Sequence, residues 1–130
     1  MSVYEVTNVF LEKIKMQKYH FFVINFANLD MVGHTGQIQA VVQAAKHVDN
    51  CLKNVFLAVQ KTRGILLITA DHGNAEEMIN PQTGEINPEH TNNPVPFIYV
   101  NLGEQKNIYL KTGQALKNIA PFVLQLFNLN

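Results

Sequence analysis

The sequence predicts an α/β fold, layered, with a mostly parallel sheet and flanking helices. Two observations lead there. Three short apolar runs, Phe21-Phe22-Val23-Ile24, Ile65-Leu66-Leu67-Ile68 and Phe97-Ile98-Tyr99-Val100, have the length of single strands. Around them lie longer stretches with apolar residues at helical spacing, giving the order α-β-α-β-loop-β-α. A strand that is apolar on both faces, as 65–68 is, suits the inside of a parallel sheet covered by helices. In such sheets ligands bind at the carboxyl ends of the strands.

Residues 3–17 read as an amphipathic helix, with Val6, Val9, Phe10 and Ile14 on one side and Glu12, Lys13 and Lys15 elsewhere. Tyr19-His20 leads into a first strand at about 21–27; His20 precedes it, at the wrong end of the sheet for a ligand site, and reads as structural. The longest helix is expected at about 37–61, with Thr35 as its N-cap and Val41, Ala45, Val48, Leu52, Val55 and Val59 buried. His47 falls on its polar flank, and Cys51 falls in the apolar stripe, where core packing is its role. Lys61-Thr62-Arg63-Gly64 closes the helix with cations and a glycine. A second strand follows at 65–70. Residues 78–93 form a loop marked by Asn80-Pro81, Thr83-Gly84 and Asn87-Pro88, and a third strand spans about 97–101. A last helix covers about 114–127 with Leu116, Ile119, Val123, Leu124 and Phe127 inward; Pro121 bends it or delays its start.

Chemistry concentrates at three strand ends. Thr69-Ala70-Asp71-His72-Gly73-Asn74-Ala75-Glu76 follows the second strand, and Gly73 lets the backbone turn so that Asp71 and His72 can face one cation. The same octet suits a helix cap followed by a surface histidine. Asn25-Phe26-Ala27-Asn28-Leu29-Asp30-Met31-Val32-Gly33-His34-Thr35-Gly36 repeats the pattern, with Asp30 and His34 four apart. Glu89-His90-Thr91-Asn92-Asn93-Pro94-Val95-Pro96 adds His90 ahead of the third strand. Two aspartates and three histidines together suit a pair of borderline divalent cations.

In this order the three stretches resemble the C-terminal part of cofactor-independent (2,3-bisphosphoglycerate-independent) phosphoglycerate mutase, of the alkaline phosphatase-like metalloenzyme superfamily. The Asp71-His72-Gly73 element points to the superfamily, and the narrower run from Asn25 to Gly36 points to the mutase. Leu29 stands where proline is expected and Asn92 where threonine is usual. The resemblance implies interconversion of 3-phosphoglycerate and 2-phosphoglycerate in glycolysis through a phosphoserine. It implies a first metal on Asp30, His34 and His90 and a second on Asp71 and His72, the ions being manganese or zinc. It also implies a fragment. Family members are several times longer, and their serine nucleophile, a further aspartate ligand and a transferase domain with substrate-gripping arginines belong to earlier sequence. Here Arg63 is the only arginine, and none of Ser2, Thr35, Thr69 or Thr91 matches the nucleophile, so no catalytic residue is assigned and the isolated chain is expected to be inactive. Another phosphomutase or phosphatase of the superfamily, or a non-catalytic metal-binding remnant, is the alternative.

Composition bounds the partners. Ten basic and ten acidic residues cancel, which gives no reason to expect nucleic acid or an anionic membrane. One cysteine excludes an internal disulfide, and no apolar run reaches the ~20 residues of a membrane span. The N-terminus lacks the form of a signal peptide, so the expected location is cytoplasmic. Three strands make a narrow sheet, and an exposed apolar edge is expected to favour self-association.

Overall fold

The computed structural model describes residues 2–103 and 108–129. Helix α1 (Val3–Lys15) begins where the Ser2 hydroxyl accepts the Glu5 N–H, and Lys13 and Lys15 sit in its last turn, where the helix dipole favours cations. Its inward face is Val3, Thr7, Phe10 and Ile14, and Val9 is exposed. Thr7 is tolerated at 2% exposure because its hydroxyl returns a hydrogen bond to the Val3 carbonyl at 2.8 Å.

Residues 21–26 have no regular secondary structure, so no strand forms in the expected interval 21–27. Phe22, Ile24 and Phe26 pack on the core while Phe21 and Val23 face outward, Val23 at 82% exposure. The alternation is that of a strand; the ladder is what it lacks. Next comes a short helix that the spacing did not announce, α2 (Asn28–Gly33), with His34 as its C-cap.

Helix α3 (Ile38–Lys61) is the spine. Its cap position is Gln37, not Thr35; the Thr35 hydroxyl instead accepts the Gln37 N–H at 3.2 Å and donates to the Val32 carbonyl. The buried stripe is Val41, Ala44, Cys51, Val55 and Val59, so Ala44 replaces the expected Ala45, while Val48 and Leu52 are only half-buried. Phe10, Val55 and Val59 form the centre of the core, flanked by Phe22, Ile24, Phe26 and Leu66. Cys51 is fully buried and unpaired with another cysteine, as its place in the stripe predicts. The helix ends through Arg63 in a left-handed conformation (φ 54°), and the Gly64 N–H bonds the Val59 carbonyl at 3.0 Å.

Among the described residues the sheet has two strands, β1 (Ile65–Thr69) and β2 (Phe97–Asn101), paired antiparallel with Leu67 opposite Tyr99. The parallel arrangement expected for these runs is therefore not what joins them. A parallel pair needs a long crossover, usually a helix, whereas residues 70–96 contain only turns, bends, bridges and a 3-10 turn at Ala75–Glu77 and bring the chain back. Nor is either strand buried on both faces: Ile65, Thr69 and Ile98 are exposed. Helix α4 (Ile119–Leu126) starts late, after a 3-10 turn at Leu116–Asn118, which places Pro121 in the first turn, where its missing N–H costs nothing. Phe122 is its contact residue, edge-on to Phe97 and Tyr99 of β2. Leu116, Leu124 and Phe127, expected inward, are exposed. Among the described residues no helix is long and apolar enough to cross a membrane.

Candidate metal centre

Three local structures bring the candidate ligands to one place. On α2, four residues make about one turn, so Asp30 and His34 project from the same side. Gly33 lies where α2 meets the next loop, and a Cβ there would overlap the Asn74 side chain. Asp71 and His72 follow β1 directly. His90 arrives on the loop 78–93, which is folded rather than slack. Ile79 and Ile86 form a bridge, Asn80 accepts from the Gln82 and Thr83 amides, and Gly84 turns at φ 73°. Ile86 then covers Gly36, whose φ of +66° and bare α-carbon allow the approach.

All three imidazoles converge on a single oxygen. Asp30 Oδ1 lies 3.2 Å from His34 Nε2, 3.2 Å from His90 Nε2 and 4.0 Å from His72 Nε2. It is buried and has no hydrogen-bond partner among the described residues. His72 and His90 stack face to face, ring centres 3.6 Å apart and 14° from parallel. The ligand atoms of Asp30, His34 and His90 all lie within 4.8 Å of one another. For comparison, donors bonded at ~2.1 Å to one tetrahedral ion stand about 3.4 Å apart. One carboxylate oxygen and two imidazole nitrogens are a donor set suited to borderline divalent cations.

The tautomer of His34 is set from behind. Its Nδ1 lies 2.6 Å from the Pro88 carbonyl, an oxygen that can only accept, so Nδ1 is the donor there, and in the neutral ring it is Nε2 that presents a lone pair to the centre. Asn74, itself buried, places its amide nitrogen 3.4 Å from the same ring nitrogen. The Asp71 side chain is 82% exposed and its Oδ1 lies 3.6 Å from His72 Nε2, so this pair sits on the open side of the cluster. His72 thus stands between the Asp30, His34 and His90 triad and Asp71. His47, read as a flank residue, is exposed and hydrogen-bonded to the Tyr4 hydroxyl, and His20 is exposed; neither belongs to the triad.

One residue that spacing did not single out is prominent here. Glu76 accepts hydrogen bonds from the Thr91 hydroxyl, from Asn93 Nδ2 at 3.1 Å and from the Asn74 N–H at 2.7 Å. The Thr91 hydroxyl above all, with the backbone amides and Asn93 helping, holds its carboxyl down at about 2 against the opposing effect of burial. Glu76 lies within the octet after β1, but only the folded loop shows what it faces.

A family model described as the metalloenzyme superfamily matches residues 1–130. The chain belongs to the metalloenzyme superfamily. Within it, the chain is 48% identical over 130 residues to a 2,3-bisphosphoglycerate-independent phosphoglycerate mutase of Vesicomyosocius okutanii subsp. Calyptogena okutanii, matching 99% of this chain and 25% of that one. It is 50% identical over 126 residues to 2,3-bisphosphoglycerate-independent phosphoglycerate mutase 2 of Methanosarcina acetivorans, over 97% of this chain and 24% of the relative. Among solved structures it resembles Leishmania mexicana phosphoglycerate mutase, determined at low cobalt concentration, with a TM-score of 0.87 and 28% identity over 98% of this chain and 26% of the other. The likeness supports the α/β, alkaline phosphatase-like class read from the sequence. The chain spans about a quarter of the length of the relatives it matches. Superfamily membership and the Asp30, His34 and His90 triad together support binding of a divalent metal.

Proposed function

We propose that this chain is the C-terminal, metal-holding part of a phosphoglycerate mutase that interconverts 3-phosphoglycerate and 2-phosphoglycerate in glycolysis through a phosphoserine. The observation that carries the proposal is the buried, unpartnered Asp30 Oδ1 facing the Nε2 atoms of His34 and His90 at 3.2 Å. Asp30, His34 and His90 would hold a first cation, and Asp71 and His72 a second, manganese or zinc by their mixed oxygen and nitrogen donors. When bound, such a pair supplies charge stabilisation for the attacking and leaving oxygens of a transferring phosphoryl group. The chain's own part is to present the donors: Pro88 fixes the His34 tautomer, and the stacked His72 and His90 rings fix each other's planes. Asp71, on the exposed side, leaves its cation open to ligands from other sequence, where the family resemblance puts the serine and a further aspartate.

The test has two arms. Equilibrium dialysis of the chain against manganese and then zinc should show saturable binding that His90→Ala abolishes. Phosphoglycerate interconversion by the chain alone should be absent, because no hydroxyl here stands in for the nucleophile. Failure to bind either ion would remove the metal-holding role, and measurable turnover would remove the claim that the nucleophile lies elsewhere. On the same reading the protein works in the cytoplasm and self-associates through an exposed apolar sheet edge, for which the outward-facing Val23 is the candidate contact.

A further inference from the structure

We propose that Glu76 is a positioning residue that clamps the His90 loop onto the Asp71-His72 loop and so sets the geometry of the metal centre. This rests on the metal-holding role of Asp30, His34 and His90. Glu76 is not itself a ligand: Oε1 is taken by the Thr91 hydroxyl and Asn93 Nδ2, and Oε2 by the Asn74 N–H. What it joins is decisive. Asn74 is two residues after His72 and Thr91 is the residue after His90, so a single carboxylate ties together the segments bearing the two stacked rings. The Thr91 N–H bonds the Gly73 carbonyl at 2.9 Å, forming an isolated bridge beside the same carboxylate. Gly73 belongs to the clamp as well, since a Cβ there would overlap both Thr91 Oγ1 and Glu76 Oε1. Charge-assisted hydrogen bonds of this kind are the strong ones, and the groups behind metal ligands typically alter affinity 10–100-fold when removed.

Cobalt(II) binding is the test, because its visible absorption reports the ligand geometry as well as the affinity. Wild type, Glu76→Ala, Thr91→Val, Thr91→Ser and Asp30→Ala chains are titrated, and the metal-free form of each is melted. Glu76→Ala and Thr91→Val should each bind about 10–100-fold more weakly with an altered spectrum. Thr91→Ser, which keeps the hydroxyl, should bind as wild type. Exchange of the Thr91 amide in the metal-free protein should quicken in Glu76→Ala. If Glu76→Ala does not fold, Thr91→Val, which preserves shape, decides between the outcomes. Unchanged cobalt affinity and spectrum in Thr91→Val would overturn the clamp, as would weaker binding that merely tracks a lowered melting temperature. A wild type that takes up no cobalt, or an Asp30→Ala chain that binds it normally, would instead overturn the metal-holding role beneath it.

Discussion

Removing Asp30 while leaving Asp71, or the reverse, tests the proposed division between a first cation on Asp30, His34 and His90 and a second that draws ligands from other sequence. An ion present at 100 times its dissociation constant stabilises the folded chain by about 2.7 kcal/mol. At roughly 2.1 cal/mol/K per residue, a 130-residue chain has an unfolding entropy of about 0.27 kcal/mol/K, so saturating metal should raise Tm by about 10 °C. Asp30→Ala deletes the oxygen that the three imidazoles share and the only anionic group of the triad. A loss of at least ~100-fold in affinity brings the same ion concentration down to its new dissociation constant, leaving about 0.4 kcal/mol and a rise of about 1.5 °C. Asp71 is 82% exposed and outside the triad, so Asp71→Ala should keep nearly the whole shift. The assay is a thermal melt of chelator-stripped protein titrated with manganese and then zinc, each variant compared with its own metal-free baseline. Equal loss in the two variants, or a full shift in Asp30→Ala, would refute the division between the sites.

Three further outcomes are expected. Val55→Ala removes two carbons from the centre of the core, at ~0.8 kcal/mol each plus a cavity term, and should lower urea stability by about 2–3 kcal/mol; a loss under ~0.5 kcal/mol would mean that Phe10 and Val59 do not pack as described. Glu76 has a folded pKa of about 2 against an ordinary 4.5, so between these values the unfolded chain binds more protons and stability rises with pH. Its contribution is complete above 4.5 and lost as pH falls through 2, and the stability gap between metal-free wild type and Glu76→Gln should close over that window; a gap independent of pH would contradict it. Val23→Lys should shift sedimentation equilibrium toward the monomer with little change in Tm, and an unchanged distribution would exclude the face around residue 23 as a self-association surface.

The chemistry of the site was more legible than the architecture that presents it. Asp30, His34, Asp71, His72 and His90 announce themselves by side-chain type and by position after apolar runs, and four of the five ring and carboxylate groups meet around one oxygen. How they meet was not legible. Spacing gave Asp30 and His34 as four apart, but the α2 turn that puts them on one side was hidden in a stretch with strand-like flanks. Successive helix positions differ by 100°, so a stripe can be misjudged by one residue whenever a neighbour is also apolar; this is why Ala45 is expected inside where Ala44 is buried, and Val6 where Thr7 is more deeply buried. Strand direction depends on the connection. An apolar run carries no sign of it, and the path of residues 70–96 fixed β2 antiparallel to β1. The run at 21–24 shows the remaining limit, since alternation dictates which side chains turn inward but not whether a neighbour is there to complete the ladder.

The hydrogen bond from His34 to the Pro88 carbonyl has a kinetic consequence. Pro88 and His90 are two residues apart on one loop, so a single excursion of that loop withdraws one nitrogen donor and frees the ring proton that fixes the other. Donors coupled in this way are lost together. If these histidines hold an ion, its release should then follow the opening of the loop as one first-order event.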